Sequence, residues 1–369
     1  MSSRLAFLAK PALSLLSLCL TVAVLEASLR LYHKWRYDVP LWPGPAELSR
    51  TIERGQGNRL SSIVLDDVLG WRSTPGYTFQ GARRNGDGTS YNVSLSFDDR
   101  GFRVFDHPGG QRPKIFVLGD SFTQAVEVSD DKTYYSLLRE TLNAEMFVYG
   151  AGGYGTLQEY MILDEYVDQI RPDVLLWQYC SNDFINNDPQ LERGSLFSNN
   201  GLRRPYWIDG QVQYLLPKAD PAGIRTFTVS RTRLGYWMLS RWDLLQPALF
   251  GGSVKGVEYE VERLGFQHPG FRRAVEVTDA LMAKVRGRAG PIPIVAFSCD
   301  DRWPYSDALR DISARNGVAF VEAVGRSVDE ADEQGAMVKV QDGHWNEAGH
   351  RMVADAITSY LRAAGLVRQ

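Results

Sequence analysis

The chain has 369 residues, 44% of them hydrophobic and 11% aromatic, enough for one large core or a core with an appended subdomain. Its 23% charged residues and lack of biased tracts exclude a disordered or collagen-like chain. A formal net charge of −3 without any Lys/Arg block argues against a nucleic-acid binder, and no repeat recurs at a fixed period.

Residues 1–36 stand apart as a membrane anchor or signal segment. Arg4 and Lys10 precede an uncharged apolar stretch from Pro11 to Leu25, and Glu26, Arg30, Lys34 and Arg36 follow it. In a helix that stretch covers about 22 Å, short of a ~30 Å hydrocarbon core. Leu5 to Ala9 extend it if Lys10 snorkels to the interface. The second reading is a signal peptide cleaved after Ala23, with Thr21 at the −3 position, although no Ala-x-Ala triplet is present. Either way the remainder leaves the cytosol, and the positive charge ahead of the stretch orients it toward the periplasm or exterior.

Residues 40–110 are rich in Gly, Pro and Asp, with alternation over Tyr91 to Phe97 that predicts a strand. They read as a β-rich lead-in. From Lys114 onward, short apolar runs alternate with helical segments. The runs are 115–118, 146–149, 174–177, 292–297 and 318–321; helices are expected over 133–142, 157–169 and up to about Leu361. Continuous apolar runs separated by helices predict a doubly wound α/β domain with a parallel sheet covered on both faces, here residues 111–366. An insertion at about 189–270 interrupts the alternation. It contains a hairpin candidate, Tyr206 to Tyr214, turning at Asp209-Gly210, and Trp237, Trp242 and Phe250. A segment of this length is either a lid or substrate wall or a packing elaboration.

Four blocks put polar residues at predicted strand ends, where open parallel sheets collect their ligands. Gly119-Asp120-Ser121 places a serine at a helix start, where backbone N–H groups favour negative charge; alone, it is also an ordinary N-cap. Gly150 to Thr156 is glycine-rich and brings backbone amides close to a ligand. Ser181-Asn182-Asp183 offers a neutral amide donor. Asp342-Gly343-His344 sets a carboxylate beside an imidazole on a loop ahead of the last helix. Of the five histidines, His33 flanks the anchor, and His107 and His268 precede prolines. His350 lies on the apolar side of the terminal helix with Val353 and Ile357 and reads as structural. Asp342, His344 and His350 are the alternative set, as metal ligands, but no second ligand cluster joins them.

In this order the four blocks resemble the SGNH/GDSL hydrolase family, in its exported, N-terminally anchored bacterial branch. Leu69-Gly70-Trp71 and Arg100-Gly101-Phe102-Arg103 add to the likeness, which spans roughly Lys114 to Leu361 apart from the insertion. The resemblance implies a flavodoxin-like three-layer fold with Ser121 as nucleophile and Asp342 and His344 as acid and base. It also implies an oxyanion hole made by the amides of Ser121 and Gly153 and the side chain of Asn182. No metal or organic cofactor is implied. The single residue between Asp342 and His344 is similar to alginate-type O-acetyltransferases, so the acyl acceptor is either water or a sugar hydroxyl. The expected activity is that of an exported serine esterase or acyl-transferring enzyme on O-acyl esters, with an acylated carbohydrate as substrate and no nucleic-acid partner. The alternatives are a silent glycan-binding or assembly module and a lipid-directed esterase. The family's strand order also makes the strands ending at Cys180 and Cys299 neighbours, within reach of a disulfide; the other reading is a pair of inert buried thiols.

Overall fold

The computed structural model describes residues 2–37, 41–42, 62–85, 87–106, 112–195, 202–215 and 256–367, together with 228, 232–235, 237–238 and 241. Trp242, Phe250 and His107 lie outside the described residues. The chain divides into two units, one of Met1–Ser61 with Asp220–Val254 and one of Ser62–Ala219 with Lys255–Gln369.

The larger unit opens with two antiparallel pairs: β1 (Ile63–Asp66) with β2 (Gly70–Ser73), and β3 (Thr78–Arg84) with β4 (Ser90–Ser96). The central sheet follows, from β5 (Lys114–Gly119), β6 (Glu145–Gly150), β7 (Val174–Tyr179), β10 (Ile294–Ser298) and β11 (Ala319–Phe320). Between them β8 (Arg204–Ile208) and β9 (Gln211–Leu215) form the hairpin expected in the insertion. Asp209 and Gly210 both have positive φ, 49° and 76°, the twist that a two-residue type I′ turn requires.

The five central strands are all parallel and run in the order β11-β10-β7-β5-β6. This is the doubly wound, flavodoxin-like order, and the apolar runs are continuous because both faces are covered. Along β5, Ile115 and Val117 face one core while Phe116 and Leu118 face the other. The first core is closed by helices Tyr134–Leu142, Ala323–Glu333 and Glu347–Ala363, the second by Thr156–Ile170, Pro269–Ala289 and Tyr305–Arg315. The winding across the sheet switches sides between β5 and β7, the place where open parallel sheets form a crevice at the carboxyl ends of their strands.

The described part of the lead-in shares the core of the sheet. Leu69, Trp71 and Phe102 are buried within it, and the Trp71 indole donates to the Gly152 carbonyl at 2.8 Å. Ser73 Oγ donates to the Gly150 carbonyl at 2.6 Å. Cys180 and Cys299 stand at the ends of neighbouring strands, 5.1 Å apart at Cα, and are joined by a disulfide.

The smaller unit contains the helix Ser2–Tyr37, of which Leu13–Tyr32 is long and apolar enough to cross a membrane, with mean hydropathy 1.7.

Candidate active site

The first element of the site is the turn after β5. Asp120 caps the short helix Ser121–Gln124 by accepting from the Phe122 N–H at 3.0 Å, and Ala125 ends it in the left-handed region. This sharp return is possible because Gly119 and Gly150 pair across β5 and β6 without side chains. A Cβ on Gly119 would run into Gln178 and Thr123, and one on Gly150 into the backbone of Asp120 and Gln124. Two missing methyl groups thus let the serine turn nest against its neighbouring strand.

The last block arrives from the opposite end of the chain. Gly343 (φ 93°) bends the loop so that the His344 N–H and ring Nδ1 both face Asp342 Oδ1, at 3.2 and 2.9 Å. The ring's Nε2 lies 2.8 Å from Ser121 Oγ. With Nδ1 carrying the proton toward the carboxylate, Nε2 presents its lone pair to the serine hydroxyl. Phe122 packs against the imidazole at 4.7 Å between ring centres and holds its plane. Burial works against a charge on His344, but the Asp342 hydrogen bond and the fields of Glu127, Asp342 and Asp120 outweigh it and raise the ring to about 9. The same hydrogen bond holds Asp342 below the usual carboxylate range, although burial opposes this.

Glu127 is the residue that sequence reasoning missed. One of its carboxylate oxygens, an Asp342 oxygen and a His344 nitrogen lie within 4.8 Å of one another. Burial raises its pKa despite the nearby His344. Nothing local marks Glu127 in the sequence, since the chain between it and His344 traverses most of the domain. Among the described residues, Glu127, Asp342 and His344 are therefore the three groups that could hold a cation here, while both imidazole nitrogens already have protein partners.

His350 does not join them, which corrects the metal-ligand alternative of Asp342, His344 and His350. It is buried and accepts the Tyr134 N–H on Nδ1 at 3.2 Å, with its ring stacked on that tyrosine. Burial first, then the positive fields of Arg103 and His344, lower it to about 3.

The second and third blocks border the same serine. Gly152 donates its N–H to Gln124 Oε1 at 3.0 Å. Gly153 has φ 74°, and neither its N–H nor that of Ser121 has an acceptor among the described residues. Asn182, on the helix Ser181–Asn187 after β7, donates one amide hydrogen to Asp120 Oδ2 at a long 3.3 Å, which leaves the other for a ligand. Asp120 is buried, and burial raises its pKa.

A cavity of about 460 Å³ opens over Ser121, Asn182 and His344. Its wall mixes Phe122, Ile185 and Tyr305 with polar groups held by one another. Ser181 Oγ donates to Asp300 at 2.6 Å, and Lys339 is paired with Asp329 at 2.8 Å. A hydroxyl bonded to a base that is oriented by a carboxylate, beside free amide donors, can perform nucleophilic acyl transfer.

Among curated proteins none matches the chain significantly. Solved structures similar to it include a catalytic mutant of an acetylxylan esterase from Geobacillus stearothermophilus, at 12% identity and TM-score 0.39, covering 71% of this chain and 100% of that one. Another is an alpha/beta hydrolase enzyme from the metagenome of Lake Arreo, at 15% identity and TM-score 0.37, covering 70% and 97%. A third is a member of the lipolytic protein G-D-S-L family from Veillonella parvula, at 12% identity and TM-score 0.34, covering 68% and 98%. A family model matches residues 117–352, from β5 into the terminal helix, a span that takes in all four blocks. The chain belongs to the GDSL-like lipase/acylhydrolase family.

Proposed function

We propose that this protein is an exported, membrane-anchored serine esterase or O-acyltransferase that acts on acylated glycans through Ser121, His344 and Asp342. The observation that carries the reading is the bridge made by His344 between the Ser121 hydroxyl and the Asp342 carboxylate. Ser121 Oγ attacks the ester carbonyl carbon while its proton passes to His344 Nε2. The oxyanion is held by the N–H groups of Ser121 and Gly153 and by the Asn182 amide. Collapse of the intermediate releases the alcohol, which takes the proton from His344, and leaves Ser121 acylated. Water or a sugar hydroxyl then gives its proton to His344 and attacks the acyl carbon, the bond from that carbon to Ser121 Oγ breaks, and Oγ takes the proton back from His344.

The mixed wall of the cavity supports a sugar. Phe122 and Tyr305 offer aromatic surface and Ile185 aliphatic contact, and the Ser181 hydroxyl and the Asn182 amide line the same space with polar atoms. The apolar helix supports anchoring, and the disulfide supports an oxidising compartment. The test is labelling of the full chain with a fluorophosphonate, followed by turnover of acetylated sugars and of p-nitrophenyl esters of rising chain length, with and without a sugar acceptor. Labelling that vanishes in Ser121→Ala, with acetyl sugars preferred, supports the proposal. A folded protein that resists the probe and turns over no ester refutes it.

A further inference from the structure

An acidic residue follows the apolar stretch of the N-terminal helix, and the fold gives that residue partners. Glu26 is the first charge after the uncharged run that ends at Leu25. Its carboxylate accepts the backbone N–H of Arg233 at 2.9 Å and that of Leu234 at 2.8 Å, and pairs with Arg30 Nε at 2.6 Å. The two N–H groups belong to a segment of the insertion, about two hundred residues later in the chain. They are the kind of donors that the first turn of a helix leaves without partners, so an anion there satisfies both ends of the contact.

The surroundings of this contact have the composition of a membrane–water boundary. Trp42 is 81% exposed, and Arg30, about one turn beyond Glu26, lies over its ring at 4.3 Å while donating to the Leu41 carbonyl at 2.7 Å. In the insertion, Trp237 is 50% and Met238 57% exposed. Indole rings beside arginines are what the headgroup layer selects. If the apolar run fills the hydrocarbon core, Glu26 lies at its edge. Residues one turn beyond Leu234 are then within roughly 6 Å of that level along an axis, inside a headgroup layer about 5–8 Å deep on each side.

We infer that the insertion around Arg233–Met238 is a second membrane contact, fastened to the anchor by Glu26 and lodging Trp237 and Met238 in the lipid headgroup layer. The inference rests on the anchored reading and adds a surface to it. Within the smaller unit, a second contact fixed to the helix restrains rotation of that unit about the helix axis, because two points of contact define a line on the bilayer.

The experiment places an environment-sensitive probe on Met238→Cys, and on Asp355→Cys as an aqueous control, each in the full chain with Cys19→Ser. Cys180 and Cys299 are bonded and do not label. The protein is reconstituted in phosphatidylethanolamine/phosphatidylglycerol vesicles with a shallow spin-labelled lipid as quencher, and iodide serves as aqueous quencher. The expected result is blue-shifted Met238 emission, quenched by the lipid and insensitive to iodide, with the Asp355 probe showing the reverse. Glu26→Leu, which keeps the helix apolar but removes the acceptor, should return the Met238 probe to control behaviour. A Met238 probe that behaves like the control in vesicle-bound protein overturns the inference and leaves the anchor standing. A wild-type chain that does not remain with the vesicles overturns both.

Discussion

The loop 341–346 and the helix Glu347–Ala363 adjoin in sequence, and each carries a histidine under opposite electrostatics. His344, ringed by Asp342, Glu127 and Asp120, is raised to about 9; His350, buried against Tyr134 and Trp345 with Arg103 adding positive field, is lowered to about 3. Burial pushes both rings toward the neutral form. The difference is the company of carboxylates: the loop's own Asp342, joined by Asp120 and Glu127 from the segment after β5, and the helix histidine has none of them as a partner. A histidine's chemistry is therefore set jointly by a close sequence neighbour, Asp342, and by the carboxylates that the fold brings to it.

The largest effect expected from breaking this contrast is the loss of the loop histidine. His344→Ala should lower turnover by about 10⁴-fold or more while the protein stays folded, measured as kcat on an activated ester beside circular dichroism. A loss under tenfold would remove His344 from the role of base. Next, Asn182→Ala should cost about 10²–10³-fold in kcat with little change in KM, because it removes one oxyanion donor. An effect on KM alone would make Asn182 a substrate-binding residue instead.

The carboxylate company itself is open to test. With His344 near 9, only roughly 1% of the free enzyme holds it as a base at pH 7, so kcat/KM should climb with pH and level off above about 9. Glu127→Gln removes a negative charge beside the ring. It should move that limb to lower pH without abolishing turnover, whereas Glu127→Asp should restore most of the wild-type profile. An unchanged limb in Glu127→Gln would show that Asp342 alone sets the imidazole.

The smallest effect on chemistry belongs to the helix histidine. His350→Ala should leave turnover within a few-fold of wild type and lower stability by about 1–3 kcal/mol. The sign of its pH dependence follows from its lowered pKa. The unfolded chain takes up a proton near 6.5 and the folded one only near 3, so His350 costs stability as pH falls between those values, at most ~1.4 kcal/mol per unit. Chemical denaturation of wild type and variant between pH 4 and 7 reads this as a difference in slope.

Much of the fold was legible because β5, β6, β7 and β10 are buried on both faces, which writes them into the sequence as apolar runs. The blocks at Ser121, Asn182 and Asp342–His344 were legible because each follows such a run or precedes a strongly periodic helix. Three features had no local signature. Glu127 reaches His344 only through tertiary folding. Trp71 joins the main core from a segment whose Gly, Pro and Asp content reads as peripheral. Glu26 reads as the charge that ends an apolar run, and only the fold supplies the N–H groups that make it a fastening point.

The pairing of Gly119 with Gly150 has a consequence for how this protein tolerates change. Neither residue carries a reactive group, yet a side chain on either collides with the turn that presents Ser121. In a library sampling every amino acid at every position, these two sites should be nearly as depleted of active clones as Ser121 itself. The turn is so closely fitted that its genetic footprint extends to atoms that are not there.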